Sequence, residues 1–284
     1  MTRTARQSPL MLGATICVVL STSMPVLAEA QGSATIVPHR AVYDLRLLNT
    51  RGKQPMRAVR GRILYDFKGS ACEGYSLQFR QVSQLNTGEG KVIVSDLRAT
   101  SWEDGEGRRL TFHSENRLDD TLRETVTGEA VREDKSIAVQ VSKPQAKAIK
   151  LDGDLLFPTQ HVRRVLELAA KGQTLLQAGV YDGSEDGGKI FDTLTVIGKP
   201  IAPGEQTPDD ASGKNAAFAK LRRWPVTVSY FERGKPSGEQ TPVYAISMEL
   251  YENGISRALK LDYNDFVVAA DMTTLELGEA KPCP

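Results

Sequence analysis

The sequence predicts an all-β protein: an antiparallel meander closing into a barrel or sandwich, with one amphipathic helix packed inside its curve. Three observations carry that prediction. Apolar and polar residues alternate with period two from about His39 nearly to the C-terminus, as in antiparallel sheets with one solvated face. Turn signals recur between the alternating runs at roughly ten-residue intervals. One stretch alone has helical spacing, which leaves too few helices for parallel βαβ units.

Ala41, Tyr43, Leu45 and Leu47 share a strand face, opposite Asp44 and Arg46. Ile63, Tyr65 and Phe67 alternate with Arg62 and Asp66, and Tyr75, Leu77 and Phe79 with Ser76, Gln78 and Arg80. Leu110 with Phe112, then Ile137, Val139 and Val141, continue the series. Further on come Val226, Val228 and Tyr230, then Tyr244, Ile246, Met248 and Leu250, then Leu259, Leu261 and Tyr263. Asp104-Gly105 and Asn253-Gly254 fall between such runs and read as hairpin turns whose two central residues accept positive φ. In the helical stretch Thr159 reads as the N-cap, Val162, Val165, Leu166 and Ala169 as the apolar stripe, and Lys171-Gly172 as the stop. Residues 198–214 are rich in Gly, Pro, Asp and Lys without an apolar period, and read as a mobile surface loop.

The first thirty residues have the parts of a cleaved secretory signal. Arg3 and Arg6 precede an apolar run from Leu10 to Leu20, Pro25 ends it, and Ala28-Glu29-Ala30 offers a small-x-small cleavage pattern. The mature chain then starts near Gln31, or after Ala28, and residues 31–284 read as one domain. The apolar run is well short of the ~20 residues that span a bilayer. Ile16 before Cys17 argues against lipidation there. Without residues 1–30, and so without Arg3, Arg6 and Glu29, the 36 Lys+Arg and 35 Asp+Glu of the whole chain become 34 of each. A neutral chain sets up no long-range field for polyanions, so nucleic acid is not an expected partner.

Cys72 and Cys283 remain after maturation, and an even count in an oxidising compartment reads as one disulfide. Two buried free cysteines are the other reading, against which the penultimate position of Cys283 argues. No metal and no cofactor is called for. Ligands for zinc do not cluster. Asp182-Gly183-Ser184-Glu185-Asp186-Gly187 imitates the start of a calcium loop, but Thr193 stands where the bidentate Glu belongs; a glycine-rich turn accounts for the same residues. Gly213-Lys214-Asn215 lacks the upstream glycine of a phosphate loop. His39, His113 and His161 share no motif, and no G-x-S-x-G elbow is present, so no catalytic residue is assigned. Carboxylates on alternating strands are expected to face solvent. Tyr43, Tyr65, Phe67, Tyr75 and Phe79 lie on apolar strand faces, where they either fill the core or line a cavity for an apolar ligand.

Several stretches resemble the EipB family of cell-envelope-integrity proteins. These are Val37-Pro38-His39-Arg40-Ala41-Val42-Tyr43-Asp44, Gly61-Arg62-Ile63-Leu64-Tyr65-Asp66-Phe67 and Gly69-Ser70-Ala71-Cys72-Glu73-Gly74-Tyr75, followed by Leu156-Phe157-Pro158-Thr159-Gln160-His161 and Val180-Tyr181-Asp182-Gly183-Ser184. The resemblance covers nearly the whole mature chain and is weakest at 198–214. It implies a periplasmic protein with a spiral, open-barrel-like sheet and a disulfide between positions matching Cys72 and Cys283. It also implies a role in keeping the Gram-negative envelope intact, by means not established as enzymatic. The fold it implies is similar to that of periplasmic lipoprotein carriers, an analogy at the level of fold.

Three functions follow as expectations. The first is a non-enzymatic envelope protein that binds a periplasmic or membrane-associated protein. The second is a carrier or sensor of lipid or lipoprotein acyl chains, which requires an apolar cavity open to solvent. The third is an envelope hydrolase, which requires the fold to assemble His, Asp and Ser.

Overall fold

In the computed structural model, which describes residues 35–51, 56–88, 90–234, 241–279 and 283, the alternating segments become strands of one sheet. The expected signal segment lies outside the described residues. In chain order the strands are β1 (His39–Thr50), β2 (Ala58–Ser70), β3 (Gly74–Asn86), β4 (Val92–Glu103), β5 (Arg109–Leu118), β6 (Thr121–Arg132), β7 (Ser136–Lys143), β8 (Lys147–Asp152) and β9 (Leu155–Leu156). After helix α1 (Pro158–Ala170) come β10 (Leu175–Val180), β11 (Phe191–Ile197), β12 (Arg223–Glu232), β13 (Tyr244–Tyr251), β14 (Ser256–Asp262) and β15 (Phe266–Leu277).

The sheet runs β8-β7-β6-β5-β4-β3-β2-β1-β15-β14-β13-β12-β11-β10-β9. The first and last strands pair at its centre, with Leu45 opposite Ala270. Its two outer strands, β8 and β9, are consecutive in the chain and separated only by Gly153-Asp154. This is a nearly closed, open-barrel-like sheet with one helix. Pairing is antiparallel throughout except between β9 and β10, which run parallel.

The helix lies across the interior. Val165, Leu166, Leu168 and Ala169 pack with Phe67 and Tyr75 of β2 and β3, and with Ile197, Trp224, Val226, Val228 and Leu250 of β11 to β13. Each large apolar side chain buried there contributes about 2 kcal/mol. Gly172, at φ +70°, stops the helix as its sequence suggests. A second cluster joins Tyr43, Ile63, Leu261, Val268 and Met272. A third folds the faces of β5 to β8 onto Leu155, Phe157 and Tyr181.

Five expectations are corrected. Thr159 does not cap the helix: Phe157 flanks it, Pro158 opens it, and the capping carboxylate comes from Glu103 on β4. Carboxylates therefore do not all face solvent, since Glu103 is buried. The turn at Asp104 is wider than two residues, because the Asp104 carboxylate accepts N–H bonds from Glu106 and Arg108; positive φ falls at Gly107. At Asn253-Gly254 only Gly254 takes positive φ. Residues 198–214 are tied down: Ile201 bridges to Arg223, Arg223 donates to the carbonyls of Glu205 and Gln206, and Ser212 is fully buried.

Candidate functional site

The N-terminus of α1 is held by Glu103, whose carboxylate accepts the N–H groups of Thr159 at 2.8 Å and Gln160 at 3.0 Å. Negative charge at a helix N-terminus satisfies orphan donors and complements the macrodipole. Burial pushes the Glu103 carboxyl up from its ordinary range, and these bonds oppose the shift. Gln160 closes the turn by accepting the Phe157 N–H at 3.1 Å.

The five aromatic residues singled out from sequence lie on one face. Phe67 and Tyr75 stack at 5.4 Å and pack against the helix; Tyr43 is buried in the second cluster, and its hydroxyl donates to the Ser256 carbonyl at 2.8 Å. Tyr65 touches both clusters and stacks on His39 at 5.4 Å; burial pushes its phenol up to about 12. Phe79 packs on the second cluster and, like Tyr65, Leu77 and Met248, keeps part of its surface accessible.

The histidines are dispersed. His39 bonds the Val37 carbonyl at 2.8 Å. Buried His161 faces the Thr195 hydroxyl at 3.3 Å, and burial pushes its imidazole down to about 4. His113, on β5, meets the Thr127 hydroxyl across the strand pair at 2.8 Å, with Glu115 at 3.7 Å. That last group sits on the part-exposed side of a strand, and its carboxylate stands beyond hydrogen-bond reach. The loop 182–187 turns β10 into β11; Asp186 pairs with Lys147 and Glu185 with Lys189, both at 2.6 Å. Among the described residues no three His, Cys, Asp or Glu side chains converge to hold a metal.

Cys72, in the turn between β2 and β3, is bonded to Cys283, with Cα atoms 5.6 Å apart. The bond ties the chain's end to that hairpin tip.

The sheet also has a fork. β14 and β15 pair only from Leu259–Ala270 to Asp262–Val267. Beyond that register β14 bulges at Ala258, held at φ +49°, and Asp271–Leu277 of β15 continues alongside β1 alone. A cleft of about 930 Å³ opens there, lined by Asp271–Leu275, Arg257, Ala258 and loop residues between Asp209 and Ala216. A charged network fastens the loop to the fork. Arg257 donates to Asp210 at 2.6 Å and to Glu249 at 2.5 Å, and Arg223 donates to the same Glu249 oxygen at 2.6 Å. Burial raises the Asp210 carboxyl, and the bonds from Ser212 and Arg257 outweigh it, leaving the group below its ordinary range.

A model of the EipB-like family matches residues 30–279. The chain belongs to the EipB-like family. It is 36% identical over 250 residues to the cell envelope integrity protein EipB of Brucella abortus (strain 2308), covering 88% of this chain and 87% of that one. It is also similar to a crystal structure described as a β-barrel-like protein of the domain of unknown function DUF1849 from Brucella abortus. That match has a TM-score of 0.79 and 36% identity, and covers 87% of this chain and all of that one.

In this EipB-like chain the sequence reading reached the cysteines and the aromatic face but missed Glu103, the Arg223–Glu249–Arg257–Asp210 network and the fork. One signal for the fork stands in the sequence. The stretch Met272-Thr273-Thr274-Leu275-Glu276-Leu277 carries no lysine or proline, the residues that commonly protect an exposed strand edge.

Proposed function

We propose that this protein works in the periplasm, without catalysing a reaction, to keep the envelope intact by binding another envelope protein. The observation that carries the reading is the 36% identity, over 88% of the chain, to a protein named for cell envelope integrity. The signal-like first thirty residues support export, and the dispersed histidines support a binding role over hydrolysis. Deleting the gene should sensitise cells to detergents and cell-wall antibiotics, and a plasmid copy should restore resistance. Crosslinking in the periplasm followed by purification should recover a defined protein. An unaltered deletion strain overturns the envelope role, and recovery of no crosslinked protein from resistant cells overturns the binding role.

A second reading, a carrier of acyl chains, draws on Tyr65, Leu77, Phe79 and Met248. They pack against the interior clusters and remain partly accessible, as a lining for an apolar chain requires. Native mass spectrometry of periplasmic protein decides it: bound lipid supports the carrier, and protein of bare polypeptide mass counts against it.

A further inference from the structure

We infer that the open edge of β15 is a docking site for an extended segment of another polypeptide, which adds a strand in the fork between β14 and β15. The inference rests on the partner-binding reading above and gives it a surface.

Consider where the backbone groups of β15 go. Ladder pairing with β14 ends at Ala270, while pairing with β1 continues through Leu277 opposite His39. The Gly278 N–H donates to the Pro38 carbonyl; beyond the bulge at Thr273, where the β1–β15 register slips by one residue and the alternation is reset, the Met272 carbonyl accepts the Ala211 N–H from the opposite side. Successive residues of a strand alternate in the edge to which they present N–H and C=O. Gly278 therefore faces β1, and Leu277 and Leu275 point their N–H and C=O groups away from it, into the fork. Among the described residues no backbone hydrogen bond reaches those groups. Two such residues, spaced two apart, are what the backbone of an extended peptide satisfies and a small molecule does not.

The side chains agree. Leu275 packs at the border of the second cluster, and Leu277 is 40% exposed. An added strand with apolar residues at alternate positions would cover both. Asp271–Leu277 is long enough to pair with about five residues. Its arm of the fork is well anchored, paired to β1 along its length and followed by the disulfide to the β2–β3 tip.

A second copy of this chain fits less well. Twofold pairing centred on Leu275–Leu277 would set Glu276 against itself, and like charges directly opposed destabilise a strand pair. Exposed Glu276, between Leu275 and Leu277 on the strand, favours instead a partner strand with Lys or Arg between its apolar positions.

The test uses the mature protein and two variants. Leu277→Pro removes an N–H that the β1 ladder does not use, and Leu277→Lys places a charge at the edge while keeping the backbone donor. A phage-displayed library of random peptides of about ten residues is selected on the wild type, and the enriched peptides are synthesised. Sequences alternating apolar with basic residues are expected. They should slow amide exchange at Leu275 and Leu277, and bind each folded variant at least about tenfold more weakly. Should Leu277→Pro fail to fold, Leu277→Lys carries the comparison. Enrichment of no peptide, or equal binding to the variants, overturns the inference. In a sensitised deletion strain, full protection by Leu277→Lys overturns the edge site and leaves the envelope role standing; a deletion strain without a phenotype overturns that role itself.

Discussion

Glu103 and Thr159 lie 56 positions apart in the chain, yet the Glu103 carboxylate accepts the Thr159 N–H at 2.8 Å and fixes where the helix begins. Glu103→Ala leaves two N–H groups at the helix start without their acceptor. It should cost roughly 1–3 kcal/mol, read as a lower urea midpoint with an unchanged slope. Glu103→Gln keeps one acceptor oxygen and should cost less.

His161 makes stability depend on pH. Its folded value of about 4 lies below the ordinary value of 6.5, so the folded state takes up its proton later than the unfolded chain. Its contribution is complete above about pH 6.5 and falls away as pH drops toward 4, by roughly 3 kcal/mol in all. Burial shifts His39 in the same direction. Urea midpoints measured across that range should slope less steeply for His161→Met than for the wild type.

The bond between Cys72 and Cys283 spans 211 positions. Chain entropy assigns a loop of that length about 5 kcal/mol, commonly an upper figure. Cys283→Ser and reduction of the wild type should lower the melting temperature by similar amounts. Titration of two free thiols in protein taken from the periplasm would refute the bond.

Asp210 anchors the 198–214 excursion through Arg257 and Ser212. Asp210→Ala leaves Arg257 with one carboxylate partner and should cost roughly 2–4 kcal/mol. Trypsin should then cut the native protein faster at Lys199 or Lys214. Unchanged cleavage and an unchanged unfolding midpoint would show that the network does not hold the loop.

What the sequence disclosed follows from range. Period-two alternation at Tyr43, Tyr65 or Val228 is local, and so is the glycine stop at Gly172; each could be read directly. The cap from Glu103 is long-range, and its residue sits on a strand where an outward carboxylate is the ordinary expectation. The tethers of the 198–214 segment, Arg223 and Arg257, hide the same way among strand residues. β15 escaped the pattern because Val267, Val268, Ala269 and Ala270 are all buried, which erases alternation. The disulfide was legible from a count of cysteines. For the fork the sequence offers only the missing lysine and proline at 272–277, because a strand's sequence does not say where its neighbour leaves it.

The pairing of β1 with β15 bears on how the chain acquires its shape. Most of the sheet consists of neighbours in sequence, β2 with β3 through β7 with β8 and β10 with β11 through β14 with β15, and such hairpins close over short distances. The central seam is the exception, since its two strands are the first and the last to be made. A chain emerging N-terminus first can assemble one wing of hairpins early, but His39–Thr50 has no partner on its second side until residues beyond Phe266 arrive. Completion of the sheet therefore waits for β15, and a chain truncated before β15 should stay in two unjoined wings.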